Sequence, residues 1–158
     1  MPITVELAGR LIDAFPGTVK GLKDSSGDIA NTKSYIDRFA KKGFEVYAAD
    51  DGTMLEALKA GGAGCVTGAA NVGCAVNARV YANWDKPAGA EAQAMLTAIR
   101  RAVIATPLIP GLKALLARHT GDEGWNTVRP PFRQLGREAQ ANLFAAFDAS
   151  GWQLPKAA

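Results

Sequence analysis

Three short extended segments, each separated from the next by room for a single helix, constrain this chain more than any other feature. They begin at residues 18 (TVKGLK), 44 (FEVYAA) and 64 (GCVTG), so successive starts lie 26 and 20 residues apart. Helical patterns fill both gaps: residues 29–40, closed by Lys41-Lys42-Gly43, and residues 52–60, closed by Gly61-Gly62. In the first, Ile29, Tyr35, Ile36, Phe39 and Ala40 fall on the inner side; in the second, Met54, Leu55 and Leu58 do. One helix between two strands is the spacing of a βαβ crossover, which makes neighbouring strands parallel. A further helix is predicted ahead of the first strand. Residues 5–15 carry apolar side chains at positions 5, 7, 8, 11, 12 and 15, and Pro16-Gly17 ends the run. From residue 71 onward no strand pattern recurs. Helices are predicted over 72–84, 88–105, 108–118 and 136–149, with an extended stretch (WNTVRPPF, 125–132) between the last two.

Three parallel strands make an awkward sheet by themselves. Both edges are open, and parallel sheets are normally covered on both faces. A closed (β/α)8 barrel solves both problems but takes about 250 residues, against 158 here. The pattern therefore predicts an α/β fold equivalent to the last three-eighths of a barrel. That is the C-terminal part of a TIM barrel, about strands 6–8, over residues 1–84, followed by a helical extension over 85–158.

Composition narrows the function classes. The chain is 48% hydrophobic and 21% charged, which is a folded globular composition. Charges interrupt every apolar run before the roughly 18 residues a membrane span needs. The first ten residues carry Glu6 and lack a basic start with an apolar core, so no signal peptide is expected. Two cysteines, Cys65 and Cys74, are too few for a disulfide framework, and a reducing, cytoplasmic setting is expected. The net charge of +3 divides into −1 over residues 1–75 (8 Lys/Arg, 9 Asp/Glu) and +4 over 76–158 (10 against 6). The basic excess is spread over helices rather than clustered with aromatics, so neither nucleic acid nor a membrane is an expected partner.

Lys23 is the residue on which chemistry is most readily built. It ends a strand, where barrels and open α/β sheets place their active sites. Alternation puts Val19, Gly21 and Lys23 on one face and Lys20, Leu22 and Asp24 on the other. If the first face is a barrel interior, apolar walls around Lys23 disfavour the ammonium form and supply the free amine that a carbonyl substrate needs. Asp50 and Asp51 stand where the next helix needs a cap. Cys65, Cys74 and His119 lack zinc spacing, and the two thiols read as small buried apolar groups. Gly61-Gly62-Ala63-Gly64 follows a helix and precedes a strand, the reverse of a dinucleotide loop. Trp84, Trp125 and Trp152 read as core or subunit packing. Asp24-Ser25-Ser26-Gly27-Asp28 stands between strand and helix, so its amides offer a second reading as a phosphate-binding module, which its two carboxylates oppose.

Gly21-Leu22-Lys23-Asp24-Ser25-Ser26-Gly27-Asp28 resembles the Schiff-base lysine segment of the dihydrodipicolinate synthase/N-acetylneuraminate lyase family of pyruvate-dependent class I aldolases. Tyr47-Ala48-Ala49-Asp50-Asp51 resembles the family's seventh strand and its acidic end. Gly61-Gly62-Ala63-Gly64-Cys65-Val66-Thr67-Gly68-Ala69-Ala70-Asn71-Val72 resembles the eighth strand and its exit. Leu108-Ile109-Pro110-Gly111-Leu112-Lys113-Ala114-Leu115-Leu116 and Val128-Arg129-Pro130-Pro131 resemble the C-terminal helices and their link.

The resemblance implies that Lys23 condenses with the C2 carbonyl of pyruvate, that a backbone group at Val66 borders the pyruvate, and that Asp50 borders the second substrate. It implies a small-molecule substrate pair of pyruvate and an aldehyde, no cofactor, and a homo-oligomer, a tetramer in the family. The activity it suggests is 4-hydroxy-tetrahydrodipicolinate synthase-like, with 2-keto-3-deoxy sugar acid or sialic acid aldolases as alternatives. Gly68 falls where sialic acid lyases favour serine. The family's Gly-Thr-Thr-Gly-Glu loop and Tyr-x-x-Pro tyrosine belong to earlier strands that this sequence does not contain, so an inactive fragment is a further alternative. Tyr35 and Tyr81 fall on helices, and Tyr47 has the parity opposite to Val46, Ala48 and Asp50, so none of the three is expected to replace that tyrosine.

Overall fold

The computed structural model describes residues 3–155. Helix α1 (Val5–Ala14) opens on Thr4, whose hydroxyl accepts a hydrogen bond from the Leu7 amide at 3.1 Å. The helix stops one residue before the predicted end. Phe15 takes φ −130° and ψ 63°, leaves the helical period and is 54% exposed rather than on the inner stripe. Strand β1 (Gly21–Asp24) leads into α2 (Ile29–Phe39), which Asp28 caps by accepting from the Ala30 amide. Strand β2 (Glu45–Ala48), a 3-10 turn (Asp51–Thr53), α3 (Met54–Lys59) and the two-residue strand β3 (Gly64–Cys65) follow.

The strands pair in the order β1-β2-β3, both neighbours parallel. Alternation decides what each face meets. Val46 and Ala48 are each 1% exposed and pack with Tyr35, Ile36, Phe39, Phe44 and Ala57 in a core between sheet and helices. Thr32 joins this buried face, a position the apolar pattern passes over. The opposite face, bearing Lys23, Glu45 and Tyr47, is covered by no element among the described residues. Gly21 lies so close to β2 that a Cβ there would stand 2.4 Å from the Glu45 carbonyl oxygen, so only glycine fits without displacing the strand.

Beyond the sheet, α4 (Ala70–Ala82), α5 (Pro87–Ile104), α6 (Leu108–Thr120) and α7 (Arg137–Ala149) enclose a second core. Pro87 sits in the first turn of α5, where its missing N–H costs nothing. Gly121, at φ 72°, ends α6 in the left-handed conformation. Val76, Val80, Leu96, Ile99 and Val103 are fully buried here, together with Met54 and Leu58 of α3. The helical extension thus shares one core with α3 and α4. Trp152 anchors the segment after α7 by donating its indole N–H to the Val72 carbonyl at 2.8 Å, whereas Trp84 and Trp125 are 43% and 40% exposed. Cys74 is also exposed, because the buried face of α4 runs through Val72, Gly73, Val76 and Val80. No single helix among the described residues is long and apolar enough to cross a membrane; α5 and α6 meet that requirement only together, across a 108° bend.

Because Ile99 has no exposed surface and sits where α4 and α5 meet, Ile99→Ala is expected to cost about 2–5 kcal/mol. Phe15→Ala is expected to cost less than about 0.5 kcal/mol. Urea denaturation of the two variants beside the parent chain checks both values.

Candidate active site

Lys23 is the third of four residues in β1, directly opposite Tyr47 in the parallel register. It is exposed on the uncovered face, and its side chain makes no hydrogen bond or ion pair among the described residues. The three strands supply its direction but not the apolar walls expected around it. Those walls would have to cover the open face.

Immediately behind Lys23, Asp24 turns the other way and is 9% exposed. Its Oδ2 accepts from the Thr32 hydroxyl (2.7 Å) and the Ser26 hydroxyl (2.9 Å). Its Oδ1 accepts from the Ser26 amide (3.0 Å) and Asn31 Nδ2 (3.1 Å). Burial by itself would push this carboxyl up; the bonds from Thr32, Ser26 and Asn31 outweigh it and hold Asp24 below its ordinary 3.8. The turn after β1 is therefore ordered around one carboxylate. The Ser26 and Ala30 amides are taken by Asp24 and Asp28, which leaves little of the amide cradle that a bound phosphate would need.

Val66 continues β3 past its last paired residue. Its amide donates to the Ala48 carbonyl at 2.9 Å, and its side chain is 47% exposed. By parity it follows Gly64, the partner of Tyr47, so Lys23 and Val66 share the open face with β2 between them. Tyr47 belongs to that same face. Its parity is indeed opposite to Val46 and Ala48, but the register shows that this turns it toward Lys23's side of the sheet, which corrects the ground on which it was set aside. Its hydroxyl donates to Glu45 Oε2 at 2.7 Å, two residues back toward the strand's start, and that carboxylate raises the phenol above its usual value.

Asp50 goes elsewhere. Its Oδ1 accepts from the Gly52 amide at 2.8 Å, the expected cap, and lies 2.7 Å from Arg100 Nε of α5. Asp51 is fully buried, with Oδ1 3.2 Å from Arg100 Nη1. These are ion-pair contacts, since Arg100 Nε and both Asp51 oxygens have no aligned hydrogen bond. Burial pushes the Asp51 carboxyl up, and the Arg100 guanidinium offsets part of the rise. Burial, reinforced by Asp51, likewise lifts the Cys65 thiol to about 12, so it is held as the unreactive thiol.

Sequence reasoning missed Arg100 and its companions Gln93 and Thr97. The 93, 97, 100 spacing on a predicted helix marks one polar stripe, but nothing in the sequence says that this stripe meets residues 50–55. Three clefts among the described residues lie away from Lys23; one of about 310 Å³ lies between α6, α7 and residues 152–154, at Arg118, His119 and Trp152. Among the described residues no group of three His, Cys, Asp or Glu side chains converges as a metal site.

A strand-end lysine followed by a carboxylate-ordered turn thus stands on a parallel sheet backed by helices, the arrangement of an α/β fold. The sequence model of the dihydrodipicolinate synthetase family matches residues 1–150, and the chain belongs to that family. An uncharacterized DapA-like lyase of Chloroflexus aurantiacus is 31% identical over 149 residues, covering 94% of this chain and 49% of the relative. A 4-hydroxy-tetrahydrodipicolinate synthase of Rhizobium meliloti is 32% identical over 120 residues, 73% of this chain and 40% of that protein. Among solved structures, dihydrodipicolinate synthase from Agrobacterium tumefaciens superposes with a TM-score of 0.78 at 29% identity, covering 94% of this chain and 49% of its own. The chain spans about half the length of the relatives it matches. The matched structures are TIM barrels, and the family is one of lyases.

Replacing Asp24 with Ala removes the acceptor for four hydrogen bonds and is expected to cost about 1–3 kcal/mol at neutral pH. A carboxyl held below 3.8 stabilises the fold above that pH, and the contribution disappears as pH falls through the lower folded value. Denaturation of parent and Asp24→Ala at a series of pH values should therefore give curves that are furthest apart above about pH 4 and converge below it.

Proposed function

We propose that this chain carries the Schiff-base half of a dihydrodipicolinate synthase-type lyase, with Lys23 as the nucleophile toward pyruvate. The observation that carries the reading is the placement of Lys23 at the C-terminal end of β1 on the open face of a parallel sheet, followed by a turn ordered around Asp24. Family membership supports the same reaction class.

On this reading the three strands are strands 6–8 of the barrel. The neutral Lys23 amine attacks the C2 carbonyl of pyruvate, and the carbinolamine loses water to give an iminium ion. The iminium withdraws electrons from C3, which gives up a proton and becomes an enamine carbon. That carbon adds to the carbonyl of an aldehyde, and hydrolysis returns the free lysine. The backbone at Val66 borders the pyruvate, and the backbone at Asp50, at the adjacent strand exit, borders the second substrate, while the Asp50 carboxylate stays on Arg100. No cofactor is needed, because the protonated imine is itself the electron sink. The barrel's other strands would cover the open face, enclose the amine, and bring the proton-relaying and carboxylate-binding groups. Their acid–base contribution is worth about 10²–10⁴-fold in rate. Assembly as a homo-oligomer and a cytoplasmic location belong to the same proposal, as does a 4-hydroxy-tetrahydrodipicolinate synthase-like choice of aldehyde.

The test is reductive trapping. The folded chain is incubated with pyruvate and borohydride, digested, and the peptide bearing Lys23 is weighed by mass spectrometry. A carboxyethyl adduct on Lys23, absent from Lys23→Ala, is the expected outcome. A folded chain that forms no adduct overturns the reading for this polypeptide.

A further inference from the structure

We propose that Gln93 and Arg100 of α5 are positioning residues, which hold the β2 exit at the rim of the Lys23 site and thereby select what the site accepts beyond pyruvate. The inference rests on the reading of Lys23 as the Schiff-base residue. It adds to that reading two side chains from the helical extension.

The observations converge on a single short turn. Gln93 Nε2 donates to the Asp51 carbonyl (2.9 Å) and the Gly52 carbonyl (3.1 Å), and Gln93 Oε1 accepts from the Leu55 amide (2.9 Å). Thr97 keeps the amide oriented. Its hydroxyl lies 3.1 Å from Nε2 while it donates to the Gln93 carbonyl at 2.8 Å. One turn further along α5, Arg100 faces Asp50 and Asp51 together. Gln93, Thr97 and Arg100 recur at the i, i+4, i+7 spacing of one helical stripe. All three are removed from water to some degree, and side chains of this kind are costly to order unless their partners are in place.

The turn they hold is joined directly to the lysine strand. The Ala49 amide donates to the Asp24 carbonyl at 2.9 Å, one residue beyond Lys23, and the Ala48 carbonyl accepts from the Val66 amide. The end of β2 at Ala48 and Ala49 therefore lies between the lysine strand and the backbone expected to border pyruvate, and residues 50–53 continue directly from it. The turn bonds itself in part, through the Gly52, Thr53 and Met54 amides, and α5 supplies the acceptor for the Leu55 amide and a further donor to the Asp51 and Gly52 carbonyls. Pyruvate on Lys23 ends at C3, whereas a longer 2-oxo acid carries atoms past C3 toward the strand exits. Holding residues 49–53 in place matters for those further atoms and little for the imine. The Arg100 guanidinium also keeps the Asp50 carboxylate turned back toward α5, which fixes the backbone of the exit.

Two readouts test this on the same chain. In backbone amide exchange, Gln93→Leu and Arg100→Met should speed exchange at Gly52 and Leu55 by about tenfold, while Ser26 and Ala30 in the Lys23 turn are unchanged and Arg100→Lys stays close to the parent. In borohydride trapping, the half-saturating concentration of pyruvate should be the same in parent and variants. That of 4-hydroxy-2-oxobutanoate should rise about three- to tenfold in Gln93→Leu and Arg100→Met and recover in Arg100→Lys. Unchanged exchange at Gly52 and Leu55 overturns the claim that α5 holds the turn. Equal shifts for both acids, or a parent that traps pyruvate but not the hydroxy acid, overturn the selective role. A folded parent that traps neither acid overturns the Schiff-base reading and the selective role with it, while the exchange result still decides whether α5 holds the turn.

Discussion

The constraint on which everything else depends is the two-residue period of three short parallel strands with helices on one side only. Val46 and Ala48 must face the helices because that is where apolar surface can be buried, and each is almost completely so. Once they do, the register sends Lys23, Glu45 and Tyr47 to the opposite face. The same rule turns Asp24 inward at the point where Lys23 points outward. A one-residue slip in β1 would exchange the two, burying the ammonium and exposing the carboxylate that orders the following turn.

Asp24 and Arg100 show two ways of stabilising a strand exit beside a reactive group. At the end of β1 one carboxylate collects four short, local hydrogen bonds, all from within eight residues. At the end of β2 the partners come from 38 to 50 positions along the chain, through Gln93 and Arg100. Local bonds of the first kind form as soon as the turn forms. Bonds of the second kind exist only after α5 has packed on α3 and α4, so the shape of the second exit reports on the whole helical extension. The shared core of α3 to α7 makes that coupling rigid.

Much of the fold is legible in the amino-acid sequence, and the reason is periodicity. Each α-helix was located from its apolar stripe, its stop signal or both, with ends displaced by one or two residues. The strands were located too but come out shorter than the extended segments, because pairing between neighbours is brief: β3 pairs with β2 through Gly64 and Cys65. Phe15 and Cys74 were misjudged for a common reason. Apolar character was taken to mean burial, whereas one lies just past a helix end and the other one residue off the buried stripe of α4. The parity of Lys23 and Asp24 was correctly read from alternation. The parity of Tyr47 against Val46 and Ala48 was too, but not that it shares the face of Lys23, because deciding whether two strands' faces coincide needs the register between them.

The amino-acid sequence by itself determined the βαβ spacing, the lysine at a strand end, the carboxylates that cap the turns, and membership of the dihydrodipicolinate synthetase family. These are set by near neighbours, or by motifs whose residues lie close together in the chain. Only the tertiary structure decided that Tyr47 shares the face of Lys23, that Asp50 turns back toward Arg100, and that Gln93 ties down the exit of β2. Each of these joins groups brought together by packing. Helix and strand periods specify which side of an element is apolar, but not which polar side chains from a distant helix will meet a given turn.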